Sequence, residues 1–149
     1  MTQTDIRDVA PADQAAWLPL WRAYQTFYEV DLPHVATRTL WGRLLDPAEP
    51  VHGALAWRGG AAVGLVHWLT HRNTWTVEDI CYLNDLFAAP AVRGGGVGRA
   101  LIGHVDAAAK AAGCSRVYWL THQSNATGQV LYNKVADRTG FIHYSHKLG

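Results

Sequence analysis

The order of apolar and polar residues along the chain predicts an alternation of strands and helices. Apolar residues three and four positions apart indicate helices at residues 12–29, 36–45, about 99–112 and about 125–137. Runs rich in β-branched and aromatic residues indicate strands at 4–9, 52–58, 61–71, 75–88, 115–122 and 140–147. The stretch 75–88 fits either one bent strand or two pieces. Pro19 lies inside the first helix and predicts a break or kink there.

Turn residues indicate how these elements are connected. Gly59-Gly60 separates two strand-like runs by two residues, which is typical of a hairpin, and Arg72-Asn73-Thr74 forms the next turn. Three strands joined as a meander, then helix, strand, helix and strand, predict an α/β fold with a mixed, mostly antiparallel sheet. No repeat or long linker divides the 149 residues, so we expect one domain over 1–149.

A glycine-rich loop joins the strand that ends near Ala88 to the helix that begins near Arg99. Glycines let the backbone approach a ligand closely, and the N–H groups at a helix start favour a phosphate. The spacing excludes a Rossmann fingerprint, with glycines at i, i+2 and i+5, and a Walker A loop, with Gly-Lys-Ser/Thr. The motif present is Arg93-x-x-Gly96-x-Gly98. Taken alone, it also fits a flexible turn.

Composition narrows the classes of function. Apolar residues make up 49% and charged residues 17% of the chain, which is typical of a globular protein. The net charge of +1 gives no reason to expect nucleic acid or an anionic membrane as a partner. No apolar run approaches the roughly 20 residues of a membrane span, and MTQTDIRDVA does not read as a signal peptide. Cys81 and Cys114 lack metal-type spacing, so we expect free thiols in a cytoplasmic protein.

The eight histidines do not form a metal-binding pattern, and we expect no metal. His67 and His71 lie four apart in a predicted strand, on one face but too far apart to chelate one ion. We expect packing or surface roles for them, with a place in a substrate pocket or a proton relay as the alternative.

The motif Arg93-x-x-Gly96-x-Gly98 resembles the pyrophosphate-binding motif of the GNAT superfamily of N-acetyltransferases. Asn125-Ala126, Leu131-Tyr132 and Gly140-Phe141 are similar to the block N-x-x-A, LY and GF of that superfamily. Two details depart from it: Ala126 follows Asn125 directly, and the segment before Gly140 is longer than usual. The order of elements also resembles the GNAT fold over nearly the whole chain.

Within the superfamily, CYLNDLF and VYWLTHQSN resemble the branch that holds diamine acetyltransferases and the yeast D-amino-acid and histone acetyltransferase relatives. The resemblance implies a sheet of about six or seven strands flanked by about four helices.

The resemblance implies acetyl-CoA as co-substrate, bound by several segments. The pyrophosphate would lie on the loop and helix start, at Arg93, Gly94, Gly95, Gly96, Val97, Gly98 and Arg99. The pantetheine arm would pair with the strand edge at Leu86, Phe87 and Ala88, where the sheet of this superfamily splays open, and with Asn125. An ordinary helix N-cap role for Asn125 is compatible with this contact.

The resemblance also implies the catalytic groups. Tyr132 matches the general acid, which protonates the departing thiolate; packing against the last strand is the alternative reading. In diamine acetyltransferases the base is proposed to be a Glu, and Asn84, which stands at that position, cannot take a proton. Asp85 therefore becomes the candidate base, and a buried structural carboxylate is an equally good interpretation. Strand alternation puts Asn84 and Asp85 on opposite faces unless a bulge intervenes.

An aromatic face on the first predicted helix bears on the acceptor. We expect Trp17 and Trp21 in the core, and the resemblance places the end of this helix and the following loop over the acceptor side. The acceptor-binding residues would be Tyr24, Tyr28, Glu29 and Asn84, with Asp31 nearby.

The implied acceptor is the primary amine of a small molecule, such as a polyamine or an amino acid, which attacks directly in a ternary complex. The alternatives are acetylation of a protein or peptide, at a lysine or N-terminus, and a catalytically silent acyl-CoA-binding module. A homodimer is common in the superfamily, but the sequence does not fix the oligomeric state.

Overall fold

The computed structural model describes residues 3–149 and contains a mixed sheet. Its strands lie side by side in chain order: β1 (Asp5–Asp8), β2 (Val51–Arg58), β3 (Ala61–His71), β4 (Ile80–Ala88) and β5 (Val117–Tyr118). The first four are antiparallel to their neighbours, and β5 is parallel to β4. The predicted fold class is confirmed, with five strands between residues 3 and 149 instead of about six or seven.

The four predicted helices are present: α1 (Gln14–Phe27), α2 (His34–Leu45), α3 (Val97–Ala111) and α4 (Ala126–Val135). Short 3-10 turns at Pro11–Asp13 and Pro90–Val92 precede α1 and α3. The predicted break at Pro19 does not occur, since α1 continues through this residue. Burial of Trp17, Leu20 and Trp21 around it outweighs the one backbone hydrogen bond that proline removes. Of the helices between residues 3 and 149, none has the length and apolar character that a bilayer crossing requires.

Two hydrophobic cores cover the two faces of the sheet. α1 and α2 cover one face, and their core contains Trp17, Trp21, Trp41, Leu44, Leu55, Leu65 and Phe87. α3 covers the other face, in a core with Val66, Trp68, Leu83, Leu101 and Val105. Trp17 and Trp21 are therefore core residues, as their spacing predicts.

Two glycine positions fix how the sheet meets its helices. Gly59 and Gly60 have φ values of 56° and 80°, so the predicted hairpin turn between β2 and β3 has the type I′ form. At Gly64, on β3, a Cβ atom would lie 2.9 Å from Val97 Cγ1 and 3.0 Å from the Phe87 carbonyl oxygen. Glycine thus lets the start of α3 lie directly on the sheet, beside the end of β4.

The predicted last strand at 140–147 is wrong, and the predicted strand at 115–122 is reduced to Val117–Tyr118. Residues 136–149 contain neither helix nor strand and are exposed throughout. An alternating apolar pattern shows only that a segment suits a strand, because the strand forms only where a partner edge is within reach. Within the described part of the chain, no such edge meets residues 140–147.

Candidate active site

A β-bulge in β4 orients Asn84 and Asp85. Asp85 pairs with His67 and Leu83 pairs with Trp68, the next residue of β3, so Asn84 is an extra residue between the two pairs. The bulge reverses the alternation of β4: Leu83 lies in the α3 core, whereas Phe87, four positions on, lies in the α1–α2 core. The bulge is thus the exception that the alternation allows, and it brings both residues to one face: Asp85 contacts His67 on the α1 side, and Asn84 lines a cavity under α2 on that side.

Asp85 is the centre of a largely buried polar cluster. Its Oδ2 lies 2.9 Å from Nδ1 of His67, and its Oδ1 accepts a 3.2 Å hydrogen bond from Nδ2 of Asn84. The side chains of Asp85 and His67 are 12% and 2% exposed. On the far side of the imidazole, Nε2 accepts a 2.9 Å hydrogen bond from Nε1 of Trp17. Because an indole N–H can only donate, the proton of the neutral imidazole is on Nδ1 and points at Asp85.

Three tyrosines surround the Asp85 carboxylate: Tyr24 and Tyr28 at the end of α1, and Tyr82 on β4. Burial raises the pKa of each of these phenols, and the charge of Asp85 raises each further. At Tyr28, hydrogen bonding with Thr121 lowers the pKa and partly opposes the shift. The rings of Tyr24 and Tyr28 lie 4.9 Å apart. The three tyrosines are thus neutral near pH 7.

Tyr132 lies on α4, and Tyr28 connects its environment with that of Asp85. Burial raises the pKa of Tyr132, and the neighbouring Tyr28 adds to the shift. Its ring packs edge-on against Trp119 at 5.6 Å. A phenol in this environment keeps its proton at neutral pH and is available to donate it.

The start of α4 is held by Asn125, whose side-chain Oδ1 accepts the N–H of Gly128 at 3.1 Å. Its Nδ2 donates to Oγ1 of Thr121 at 3.0 Å. Asn125 is therefore the N-cap of the helix that carries Tyr132.

β4 and β5 separate beyond Tyr82. Their parallel pairing consists of Cys81 with Val117 and Tyr82 with Tyr118. The later part of β4, with Leu86, Phe87 and Ala88, pairs with β3 on one edge and lies beyond the end of β5 on the other. This gap lies where the sequence resemblance places the pantetheine arm.

The glycine-rich loop lies at the end of this gap. Gly94 and Gly96 both have φ of 83°, the left-handed conformation that favours glycine. Gly96 is the N-cap residue of α3 and has no side chain to bond the first turn. The N–H groups of Val97, Gly98 and Arg99 therefore begin the helix without intrahelical acceptors, next to the gap.

Two arginines brace the loop from within the chain. Arg58 donates from Nη2 to the carbonyl oxygen of Gly95 at 2.7 Å. Arg93 donates from Nε to the carbonyl oxygen of Ala88 at 3.1 Å, and its guanidinium carbon lies 5.2 Å from the ring centroid of Phe27. Sequence reasoning missed Arg58, which lies on β2 far from the loop in sequence and in no recognisable motif.

A cavity of about 410 Å³ adjoins the Asp85 cluster through Asn84. Its walls come from α2 and the neighbouring strands: Val35, Ala36, Thr39, Leu40, Arg43, Val51, Leu69 and Asn84. Most of this lining is apolar, with one positive charge. A cavity of this volume is large enough for a small molecule.

The two acids predicted near the acceptor make no polar contact with the Asp85 cluster within residues 3–149. Asp31 lines a separate cavity of about 290 Å³ between α1 and α2, with Arg22 and Arg38. Glu29 follows the end of α1, is exposed and has a φ of 56°. Among residues 3–149, no hydrogen bond or ion pair joins either side chain to Asp85. No group of three or more metal-ligating side chains occurs within the same range.

Comparison with known proteins identifies the family. Residues 17–136 match the acetyltransferase (GNAT) family. The chain is 38% identical over 141 residues to the D-amino-acid N-acetyltransferase HPA3 of Saccharomyces cerevisiae, covering 93% of this chain and 88% of that protein. It is 28% identical over 142 residues to the uncharacterized N-acetyltransferase YhfO of Bacillus subtilis, covering 94% and 95%.

A solved structure of AAC(6')-Iy with a bisubstrate analogue superposes with a TM-score of 0.86 at 20% identity, covering 99% of each chain. Together with the family match, this similarity confirms the fold that the order of elements predicts. This chain belongs to the GNAT family and is an acetyl-CoA-dependent N-acetyltransferase.

Proposed function

We propose that the protein acetylates the primary amine of a small molecule, with Asp85 as general base and Tyr132 as general acid. The observation that carries the proposal is the common environment of the two groups. Tyr28 belongs to both environments, since the charge of Asp85 raises the pKa of Tyr28 and Tyr28 in turn raises that of Tyr132. Such a pair supplies both proton transfers that acetyl transfer needs.

Acetyl-CoA would bind along the gap, in keeping with the resemblance. Its pyrophosphate would lie on residues 93–99, where the N–H groups at the start of α3 and the helix dipole favour negative charge. Its pantetheine arm would run along Leu86–Ala88 and end near Asn125. On this path the thioester would lie between Asp85 and Tyr132.

In the reaction, the amine nitrogen attacks the carbonyl carbon of the thioester, the new C–N bond forms and the C–S bond breaks. A water molecule carries the proton of the bound ammonium group to Asp85, and Tyr132 gives its proton to the departing thiolate. The nitrogen loses its second proton to water as the amide forms, and Tyr132 takes a proton back from water, so these two transfers cancel. The products are the N-acetylated amine, coenzyme A as the free thiol and one proton, which Asp85 releases.

A small acceptor is supported by the surroundings of Asp85. The faces of Tyr24 and Tyr28 attract an ammonium group by about 0.5–2 kcal/mol. The cavity under α2 has the volume of a small-molecule site, and Arg43 in its wall suits an acceptor with a carboxylate. The similarity to a D-amino-acid N-acetyltransferase favours an amino acid among such acceptors. Asn84 would contact the acceptor from the floor of the cavity; Glu29 remains a prediction from the sequence.

A panel of acceptors tests the proposal. Acetyl-CoA would be incubated with D- and L-amino acids, polyamines, aminoglycosides and lysine peptides, with product detection by mass spectrometry and thiol release measured in parallel. We expect a small amine to give the highest kcat/KM. A peptide that exceeds every small amine would establish the protein acetyltransferase alternative, and coenzyme A binding without any acetylation would establish the silent binding module.

We further propose that residues 1–149 act as one domain in a homodimer in the cytoplasm. A homodimer is supported by the exposed segment 136–149, in which Phe141, Ile142 and Tyr144 are 82%, 75% and 85% exposed. β5 is the last strand of the sheet, so its outer edge offers such a segment of a second copy a place to pair. Cys81 and Cys114 are free thiols, which supports a reducing compartment.

A further inference from the structure

Three side chains, Trp17, His67 and Asp85, form a line of hydrogen bonds, which suggests a role for a histidine that the proposed reaction does not use. We propose that His67, held by Trp17, is a positioning residue that fixes Asp85 and stays neutral through the catalytic cycle. The proton that Asp85 takes up then leaves through the cleft and does not pass inward. This inference rests on the proposed role of Asp85 as the base.

The line crosses three elements, from α1 through β3 to β4. Trp17 donates to Nε2 of His67 at 2.9 Å, and Nδ1 of His67 lies 2.9 Å from Oδ2 of Asp85. Trp17 is fully buried, and the His67 side chain is 2% exposed. Neither group has access to water, so each depends on the other for its hydrogen bond.

Packing fixes the orientation of the imidazole ring. The ring of Trp21 meets it edge-on at 5.1 Å, and that of Trp17 lies 6.0 Å away. On the β2 side, a Cβ atom at Gly53 would lie only 3.1 Å from Cδ2 of His67, so the backbone closes in there. These neighbours and the two hydrogen bonds hold the imidazole in one orientation.

Protonation of His67 is opposed by Trp17. A second proton on Nε2 would place two N–H donors face to face and leave the buried indole N–H without an acceptor, which is costly. The groups that face His67 are Trp17 and Trp21 on α1 and Asp85 on β4. The line thus ends at a group that can only donate, and no proton path continues beyond it.

The same line determines which oxygen of Asp85 is free to take up a proton. His67 holds Oδ2, so Oδ1, which accepts from Asn84, is the oxygen left to take up the proton. The other groups that face the carboxylate are Tyr24 and Tyr28 at the end of α1 and Tyr82 on β4, all neutral phenols. The proton therefore enters and leaves on the side of the tyrosines.

Two variants of similar size separate the two hydrogen bonds of His67. The amide nitrogen of Asn in His67→Asn reaches the position of Nδ1 and can donate to Asp85. The amide oxygen of Gln in His67→Gln reaches the position of Nε2 and can accept from Trp17. His67→Gln should lose about 10- to 100-fold in kcat, because the base is misplaced. The acidic limb of its kcat/KM profile should also move to higher pH, because a carboxylate without its donor binds a proton more tightly.

His67→Asn should lose less activity and keep the acidic limb of the parent enzyme. Thermal unfolding and the KM for acetyl-CoA would be measured for both variants. Equal losses in the two variants, or a ranking that follows their thermal stability with unchanged pH profiles, would mean that His67 only packs the core.

The charge state of His67 is measured without any assay of activity. In nitrogen-15 spectra of the whole protein near pH 7, His67 should be the neutral Nδ1–H tautomer, and Trp17→Phe should weaken this preference. The Nε2–H tautomer or the imidazolium in the parent enzyme would overturn the inference. Full activity of Asp85→Asn would instead remove the proposed base, while the tautomer of His67 would still be as stated.

Discussion

Asp85 is a carboxylate whose neighbours are mostly neutral donors. His67 and Asn84 each engage one of its oxygens, and the phenols of Tyr24, Tyr28 and Tyr82 complete its surroundings. These hydrogen bonds hold the carboxylate in one orientation. Burial raises the pKa of Tyr132, so its phenol retains its proton at neutral pH. As the proposed base and acid, the two residues would supply the two proton transfers of the reaction.

The role of Tyr132 is tested by Tyr132→Phe, which keeps the ring beside Trp119 and removes the proton. Turnover should fall by about 10- to 1000-fold while the affinity for acetyl-CoA is retained. Tyr144→Phe, a matched change on the exposed C-terminal segment, should have no effect. Steady-state kinetics under conditions in which chemistry limits the rate would decide, and a parent rate for Tyr132→Phe would leave Tyr132 as a packing residue.

The environment of Tyr24 predicts how stability depends on alkaline pH. Burial first, and then Asp85, raise the pKa of Tyr24 above its unfolded value of about 10. Because the folded state holds this proton more tightly, the stabilisation is complete below about pH 10 and is lost as the pH rises further. Tyr24→Phe has no proton to lose, so its melting temperature should fall less than that of the parent above about pH 10. Parallel melting curves at every pH would contradict this expectation.

At the scale of elements, the sequence predicts what depends on local pattern. The spacing of apolar residues predicts the helix α3, and its glycine-rich loop predicts where that helix starts. The pair Gly59-Gly60 predicts the hairpin turn between β2 and β3. The bulge at Asn84 has no such local signal, because it depends on the register that β3 and β4 adopt over their whole length. The line from Trp17 through His67 to Asp85 could not be predicted for the same reason, since that register brings His67 opposite Asp85.

A charge placed at the N-cap tests whether the start of α3 binds the pyrophosphate. Gly96→Asn and Gly96→Asp have nearly the same shape, and both types of residue tolerate the left-handed conformation better than most. The negative charge of an aspartate interacts favourably with the N-terminal end of the helix dipole, so the variant should fold. The same charge repels the pyrophosphate and should weaken its binding. We expect Gly96→Asp to bind coenzyme A at least about 10-fold more weakly than Gly96→Asn, which is about 1.4 kcal/mol by calorimetry. Equal affinities would exclude this loop as the phosphate site.

At the scale of the whole molecule, the C-terminal segment is unlike the rest of the chain. Its apolar residues cover no surface of this chain, although its alternation suits a strand. The outer edge of β5 lies beside the exposed Leu120, and Val130 on α4 is also exposed. In the proposed homodimer, the strand-forming segment of each copy pairs with the outer edge of β5 in the other copy.

Removal of residues 137–149 should therefore convert a dimer into a monomer, as measured by light scattering after size-exclusion chromatography. The full-length variant with Phe141→Asp and Tyr144→Asp should behave in the same way, because charged side chains do not fit a buried strand. A full-length protein that is already monomeric at micromolar concentration, or a truncated one that remains dimeric, would contradict the homodimer.

The role of Asp85 as general base is central to the proposed reaction, and the kinetics of Asp85→Asn test it directly. The variant keeps the size of the side chain and removes its ability to take a proton. Asp5→Asn is the matched control, because Asp5 is exposed on β1 at the other edge of the sheet. With the best small amine from the panel, Asp85→Asn should lose about 100-fold or more in kcat while binding acetyl-CoA as the parent does, and Asp5→Asn should match the parent. If Asp85→Asn acetylates that amine at the parent rate from about pH 6 to 9, Asp85 is not the base.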